Sequence, residues 1–268
     1  MLVALCSDKG SPGTTTSALA LASAWHVPAI VVEADAAGGD LGIRINPNGN
    51  ALPEAPTILS LATAARVDRE PDLIARHAQL LTPQVSVVVG ALRREQMAKV
   101  GDWAPVADSM RRSSVPVFAD LGQFHSSSPN LPVAAAADLV VVVGRPDITS
   151  VVRMRDRLAH LGSDLGAIRG APPRLYAALV TTTRHGQAHA NDVAALLAET
   201  NAKPFLTGVG YLAVDHRAVR QVESGDDPRR RLARTNLMRS ARNLVAELRV
   251  AADVPHGVAG ALTRDGAR

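Results

Sequence analysis

Directly after the first apolar run, LVALC (2–6), the chain reads Lys9-Gly10-Ser11-Pro12-Gly13-Thr14-Thr15-Thr16. A glycine-rich turn between a strand and a helix can hold a phosphate. Glycines let backbone approach the anion, the helix N-terminus offers free N–H groups and a positive dipole end, and a Thr hydroxyl can ligate Mg²⁺. Gly10 and Gly13 supply the first property, and Thr15 is placed for the last. The standard spacing G-x-x-x-x-G-K-[ST] fails twice, with Asp8 in place of the first glycine and Thr14 in place of the lysine. Spacing alone leaves two readings open, a phosphate loop or a Gly/Pro turn that caps a helix. Two further acidic sites stand at the ends of apolar runs, Glu33 with Asp35 and the lone Asp120.

The elements that must position these residues are short, almost continuously apolar runs: 2–6, 29–34, 85–90, 115–120, 138–144, 175–181 and 203–210. Runs without polar alternation fit strands covered on both faces. Helix-like segments lie between them, at 15–25, 58–65, 102–112, 149–161 and 189–199, with a last one over about 229–250. This rhythm predicts one α/β domain with a mainly parallel sheet, helices on both faces and right-handed crossovers. The phosphate-loop candidate then falls at the carboxyl edge of the sheet, where such folds bind ligands. The Pro/Asn-rich stretch 46–57 reads as loop. Residues 1–250 are expected to form the domain and 251–268 a flexible C-terminal tail.

The string from Lys9 to Thr16 resembles the deviant Walker A motif K-G-G-x-G-K-T-[TS] of the MinD/ParA superfamily of P-loop ATPases, departing at Ser11 and Thr14. Three later segments are similar to that family in the same order: IVVEADAAGGDL, AADLVVVVGRPDITS and GVGYLAVDHRAVRQVESGDDP. The similarity runs from residue 2 to about residue 250. It implies a single-domain P-loop NTPase-like fold of the SIMIBI/MinD type. ATP phosphates would be held by Lys9, Gly10, Ser11, Gly13, Thr14, Thr15 and Thr16, and Mg²⁺ by Thr15, Asp35 and Asp120. Lys9 would be the signature lysine that reaches the phosphates across a homodimer, and Asp35 the residue that orients the attacking water. Without a lysine at Thr14, one charge-assisted bond of about 1.5–3 kcal/mol is lost, so weak ATP binding and slow or no hydrolysis follow. Asp8 adds a negative charge nearby and weakens binding further. After the strand LYAALV the family often has Asn-Arg, with the Asn reading adenine; here the residues are Thr181-Thr182-Thr183-Arg184, so base specificity is left open.

The pairing of KGSPGTTT with EADAAGGDL resembles the atypical actinobacterial MinD-like branch related to TadZ/CpaE. That resemblance implies a spatial organiser or assembly factor with a protein partner in a pilus, secretion or partition system. The alternatives are a DNA-partitioning ParA-type ATPase binding nonspecific DNA, and a nucleotide-free pseudo-ATPase scaffold.

Composition narrows the remaining classes. Hydrophobic residues at 47% and charged residues at 20% describe a globular chain, and 3% aromatics leave too few rings for stacking on single-stranded nucleic acid. The formal charge of +4 is nearly all arginine, since the lysines are Lys9, Lys99 and Lys203. Cys6 is the one cysteine and reads as a buried small hydrophobe. His185 and His189 are four apart without an acidic or Cys partner at ligand spacing, which reads as surface. Asp147 reads as a helix N-terminal acid and Asp156 as a solvated partner of Arg153 or Arg157. On the last helix Leu237, Ala241, Leu244, Val245 and Leu248 form a core stripe, with Arg231, Arg239, Arg242 and Arg249 away from it. No run reaches the ~18 apolar residues of a membrane span, and no leader is seen, so a cytoplasmic or peripheral protein is expected.

Overall fold

The apolar runs pair into one sheet. In the computed structural model, which describes residues 1–10 and 12–253, the strands are β1 (Leu2–Ser7), β2 (Ala29–Glu33), β3 (Gln79–Thr82), β4 (Val85–Val88), β5 (Val117–Gln123), β6 (Leu139–Gly144), β7 (Leu175–Thr181) and β8 (Leu206–Ala213). Their order is β3-β4-β2-β5-β1-β6-β7-β8, all parallel except β3, which runs antiparallel to β4. The helices are α1 (Thr14–Ala24), α2 (Leu41–Arg44), α3 (Ile58–Ala65), α4 (Leu73–Arg76), α5 (Arg94–Met97), α6 (Ala104–Arg112), α7 (Leu131–Ala136), α8 (Ile148–Arg169), α9 (Gly186–Ala198), α10 (His216–Glu223) and α11 (Asn236–Asp253).

Period-two alternation divides the apolar strands between two cores. On β1, Leu2, Ala4 and Cys6 face one side with Ile58, Trp103, Met110, Met154 and Leu158. Val3 and Leu5 face the other side with α1 and with Leu237, Leu244 and Leu248 of α11. Helix α1 lies between the sheet and α11, so it is buried nearly all round, from Ala18 through Ala22. A helix of small apolar residues is what that doubly covered place requires.

Strand β1 is flanked by β5 and β6, and the chain winds away from it in both directions. The carboxyl end of β1 is therefore the crevice where the topology reverses, and the loop into α1 opens there.

Several boundaries differ from expectation. The edge hairpin β3–β4 was not foreseen, and the strand expected over 203–210 begins at Leu206 because Lys203–Phe205 is a 3₁₀ turn. Helix α8 continues to Arg169, well past residue 161. Helix α11 starts at Asn236 rather than near 229, after a 3₁₀ turn at Arg231–Arg234. It runs through Asp253, so residues 251–253 of the expected tail are helical; the remainder, 254–268, lies outside the described residues. Among the described residues no helix is long and apolar enough to cross a membrane.

Candidate functional site

Glycine geometry shapes the loop. Gly10 has φ +79° and Gly13 φ +102°, a left-handed conformation that only glycine adopts without strain. A Cβ on Gly10 would meet nothing within 4 Å, so its backbone faces open space. Gly13 is the N-cap of α1 and, having no side chain, leaves the first-turn N–H groups uncapped. No acidic side chain stands in that turn. Uncapped N–H groups with the positive dipole end behind them suit an anion. Ser11 lies outside the described residues. Thr14 is buried, whereas Thr15 and Thr16 are partly exposed.

Thr15 and Asp120 meet at this opening. The Thr15 hydroxyl donates to Asp120 Oδ2 at 2.5 Å, and the Gly122 N–H donates to Oδ1 at 3.0 Å. A bulge between β1 and β5, where Leu5 pairs with Asp120 and Ser7 already with Gln123, sets Asp120 at the crevice. Burial pushes its carboxyl up to about 6, with the Asp35 charge acting the same way and the Thr15 and Gly122 donors acting against it. Desolvation opposes ionisation here, so a cation coordinated by this carboxylate would offset that cost. A buried carboxylate, a Thr hydroxyl on a helix N-terminus and a second carboxylate make an all-oxygen donor set, which suits Mg²⁺.

Asp35 is the second carboxylate. It is half-buried, accepts from the Ala37 N–H at 2.7 Å, and is raised above its ordinary value chiefly by burial. A Cβ on Gly122 would lie 1.7 Å from Asp35 Oδ2, so the glycine is what gives Asp35 its place beside Asp120. Asn130, fully buried, donates to the Ala34 carbonyl at 2.7 Å and holds the segment carrying Asp35 against the end of β5. Gly122 and Asn130 were not foreseen. The only sequence signal for Gly122 was its place two residues after Asp120.

Glu33, expected beside Asp35 as an acidic pair, serves the backbone. Its carboxylate accepts from the N–H groups of Asp40 at 2.8 Å, Leu41 at 3.0 Å and Gly90 at 2.9 Å. It thereby clasps the loop after β2 to the end of β4. Burial pushes it up to about 7 against those three donors. A Cβ on Gly39 would sit 2.0 Å from Glu33 Cδ, which explains the small residue in the turn.

Asp8 also differs from expectation. Its carboxylate takes the Arg157 guanidinium, with Nε at 2.9 Å, so the negative charge next to the loop is offset by a cation from α8. Arg157 is thus not the partner of Asp156, which pairs with Arg155. Asp147 does cap α8, accepting from the Ser150 N–H at 2.9 Å. Lys9 is exposed and lines a cavity of about 210 Å³ with Asp8, Gly10, Arg145, Asp147 and Arg153. The structure thus brings Thr15 to Asp120 and sets Asp35 against Gly122, with Gly13 capping α1, while Lys9 and Gly10 line the cavity toward α8.

On the adenine side expected from the resemblance, Thr181 is buried and bonded to His189 Nδ1 at 2.9 Å, while Thr182, Thr183 and Arg184 are exposed. Among the described residues no cluster of three or more His, Cys, Asp or Glu side chains is placed to hold a metal by itself.

No protein-family profile matches the chain, and no curated protein sequence aligns with it. Solved structures do match. The ParA family ATPase from Chlorobium tepidum superposes with a TM-score of 0.67 at 16% identity, covering 92% of this chain and 98% of that one. The cell division ATPase MinD of Pyrococcus furiosus gives 0.67 at 13% identity, over 93% and 98%. The septum site-determining protein MinD from Pyrococcus horikoshii, solved with Mg-ADP, gives 0.55 at 15% identity, over 94% and 99%. Both chains are covered nearly end to end at low identity, and what that likeness establishes is the fold: a single α/β domain of the MinD/ParA P-loop type.

Proposed function

We propose that the chain is a MinD/ParA-like spatial organiser or assembly factor whose self-association depends on Mg-ATP bound at the β1–α1 loop, with slow or no hydrolysis. The observation that carries this reading is the Thr15–Asp120 pair at 2.5 Å, set at the uncapped N-terminus of α1 beneath a left-handed Gly13. Backbone N–H groups of Gly10, Gly13, Thr14, Thr15 and Thr16 would cradle the phosphates. Thr15, Asp35 and Asp120 would hold Mg²⁺, directly or through water. When bound, Mg²⁺ neutralises phosphate charge and orients the phosphate chain. Asp35, fixed by the Ala37 N–H and the bare Gly122, would orient a water at the terminal phosphate.

Thr14 supplies none of the charge that a lysine there would bring to the transition state, so turnover is slow and binding is the retained property. Lys9, exposed at the rim of the loop, would reach a nucleotide held by a second copy of the chain. The combination of a kept early lysine and a missing late one supports the TadZ/CpaE-like branch, in which the partner would belong to a pilus, secretion or partition system. Arg239 and Arg242 on α11 fold back on their own segment, onto Asn236 Oδ1 at 2.8 Å and the Ala233 carbonyl at 2.6 Å.

Nucleotide titration followed by solution mass measurement tests the reading. Wild type should dimerise with Mg-ATP and Lys9→Ala should remain monomeric. A wild type whose mass never changes with nucleotide would overturn it.

A further inference from the structure

The loop lacks a cation at Thr14, and the molecule brings one from elsewhere. Arg44, the last residue of α2, lies across the first turn of α1. Its Nη2 donates to Thr16 Oγ1 at 3.3 Å, its Nε to Glu223 Oε1 at 2.9 Å and its Nη1 to Asp40 Oδ1 at 3.3 Å. Its side chain is 28% exposed, so the head group is partly shielded from water yet open to a ligand. The charge also reaches Asp120, where it favours the ionised carboxylate.

Other cations near the loop are placed differently. Arg157 is engaged by Asp8, and Lys9 lies with Arg145 and Arg153 on the β6–α8 side. Arg44 reaches the first turn of α1 itself, through the Thr16 hydroxyl. Its bond to Glu223, at 2.5 Å through Nη2 and 2.9 Å through Nε, is the firm one. The contact to Asp40 is longer and involves a carboxylate that is 58% exposed. Exposed pairs of that kind are weak, so Nη1 can exchange Asp40 for a phosphate oxygen at little cost. A guanidinium is suited to that exchange, because its planar fork bonds two acceptors at once.

We propose that Arg44 is the phosphate-facing cation of this site, supplying from α2 the charge that a lysine in place of Thr14 would supply from the loop. The proposal rests on the nucleotide reading above.

Calorimetric titration with Mg-ATP tests it on wild type, Arg44→Ala, Arg44→Lys, Glu223→Gln and Arg44→Ala/Thr14→Lys, each checked for folding by thermal melting. Arg44→Ala should weaken binding about tenfold to a hundredfold, as loss of a charge-assisted phosphate contact does. Arg44→Lys should lose less, because the charge remains without the fork. Glu223→Gln keeps the cation and an acceptor oxygen for its Nε, and should stay within about threefold of wild type. The double variant should recover roughly tenfold over Arg44→Ala, because the charge returns from the loop.

Wild-type affinity in Arg44→Ala would overturn the proposal while leaving the nucleotide reading intact. So would an equal loss in Glu223→Gln, which would make Arg44 only the anchor of α2 to α10. Absence of any Mg-ATP binding by folded wild type would overturn both. Should Arg44→Ala fail to fold, Arg44→Lys against Glu223→Gln decides: a loss confined to the first supports the proposal, and an equal effect refutes it.

Discussion

Gly122→Ala tests how the carboxylates are held. Gly122 has φ +61°, where an L-residue costs about 1–2 kcal/mol. Its new Cβ would also lie 1.7 Å from Asp35 Oδ2, 2.1 Å from Cγ and 2.8 Å from Cβ. Real Cβ contacts hardly fall below 3.0 Å, so the Asp35 carboxylate must withdraw by at least about 1.3 Å. That movement breaks its 2.7 Å bond from the Ala37 N–H, adding roughly 1 kcal/mol to the backbone cost. Gly122→Ala should therefore destabilise the protein by about 2–3 kcal/mol in urea unfolding. In an Asp35→Ala background the overlap shrinks to the 2.8 Å contact, which a shift of a few tenths of an ångström relieves. There the cost should fall to the backbone part alone, giving a coupling of about 1 kcal/mol or more in the double-mutant cycle. Additive effects would refute the claim that Gly122 is bare to seat Asp35. In the single variant, Mg²⁺ should also lose its ability to strengthen nucleotide binding.

Two other consequences are direct. Glu33→Gln turns an amide donor toward at least one of the Gly90, Asp40 and Leu41 N–H groups, costing about 1–3 kcal/mol. Hydrogen exchange at those three amides should quicken, and unchanged protection would contradict the clasp. Cys6 is fully buried and its thiol is pushed up to about 12, chiefly by burial, so the native protein should resist alkylation at pH 8 and react only on unfolding. Rapid labelling of folded protein at pH 8 would show that the β1 core is open.

How far the chain betrays its structure varies by element. The parallel strands were legible because strands buried on both faces are continuously apolar, as LVALC and LVVVV are. Gln79–Thr82 was not, because a four-residue edge strand that opens on Gln and closes on Thr carries no such run. The end of α8 was obscured by Gly162 and Gly166, which suggest a break. Gly162 is instead a packing residue, since a Cβ there would lie 2.0 Å from Phe205 Cδ2. Pro204 delays β8 by imposing the turn at Lys203–Phe205.

Of the candidate residues, the string Lys9 to Thr16 could be picked out because loop chemistry is local in sequence, and Asp35 and Asp120 because each stands at the end of an apolar run. Gly122, Asn130 and Arg44 could not. Their roles exist only through contacts with Asp35, Ala34, Thr16 and Glu223, which lie far away along the chain. The ion pair of Asp8 with Arg157 is of the same kind: the acid was visible from the sequence, and the cation that offsets it came with the fold.

The central claim is that the β1–α1 loop binds a Mg-nucleotide despite Thr14. Calorimetric titration of Mg-ATP into wild type and Thr15→Val measures it most directly. The account predicts saturable binding at submillimolar to millimolar nucleotide for wild type, and loss of the Mg²⁺-dependent part in Thr15→Val, which removes the hydroxyl on Asp120. No binding heat and no thermal shift up to millimolar Mg-ATP would contradict it.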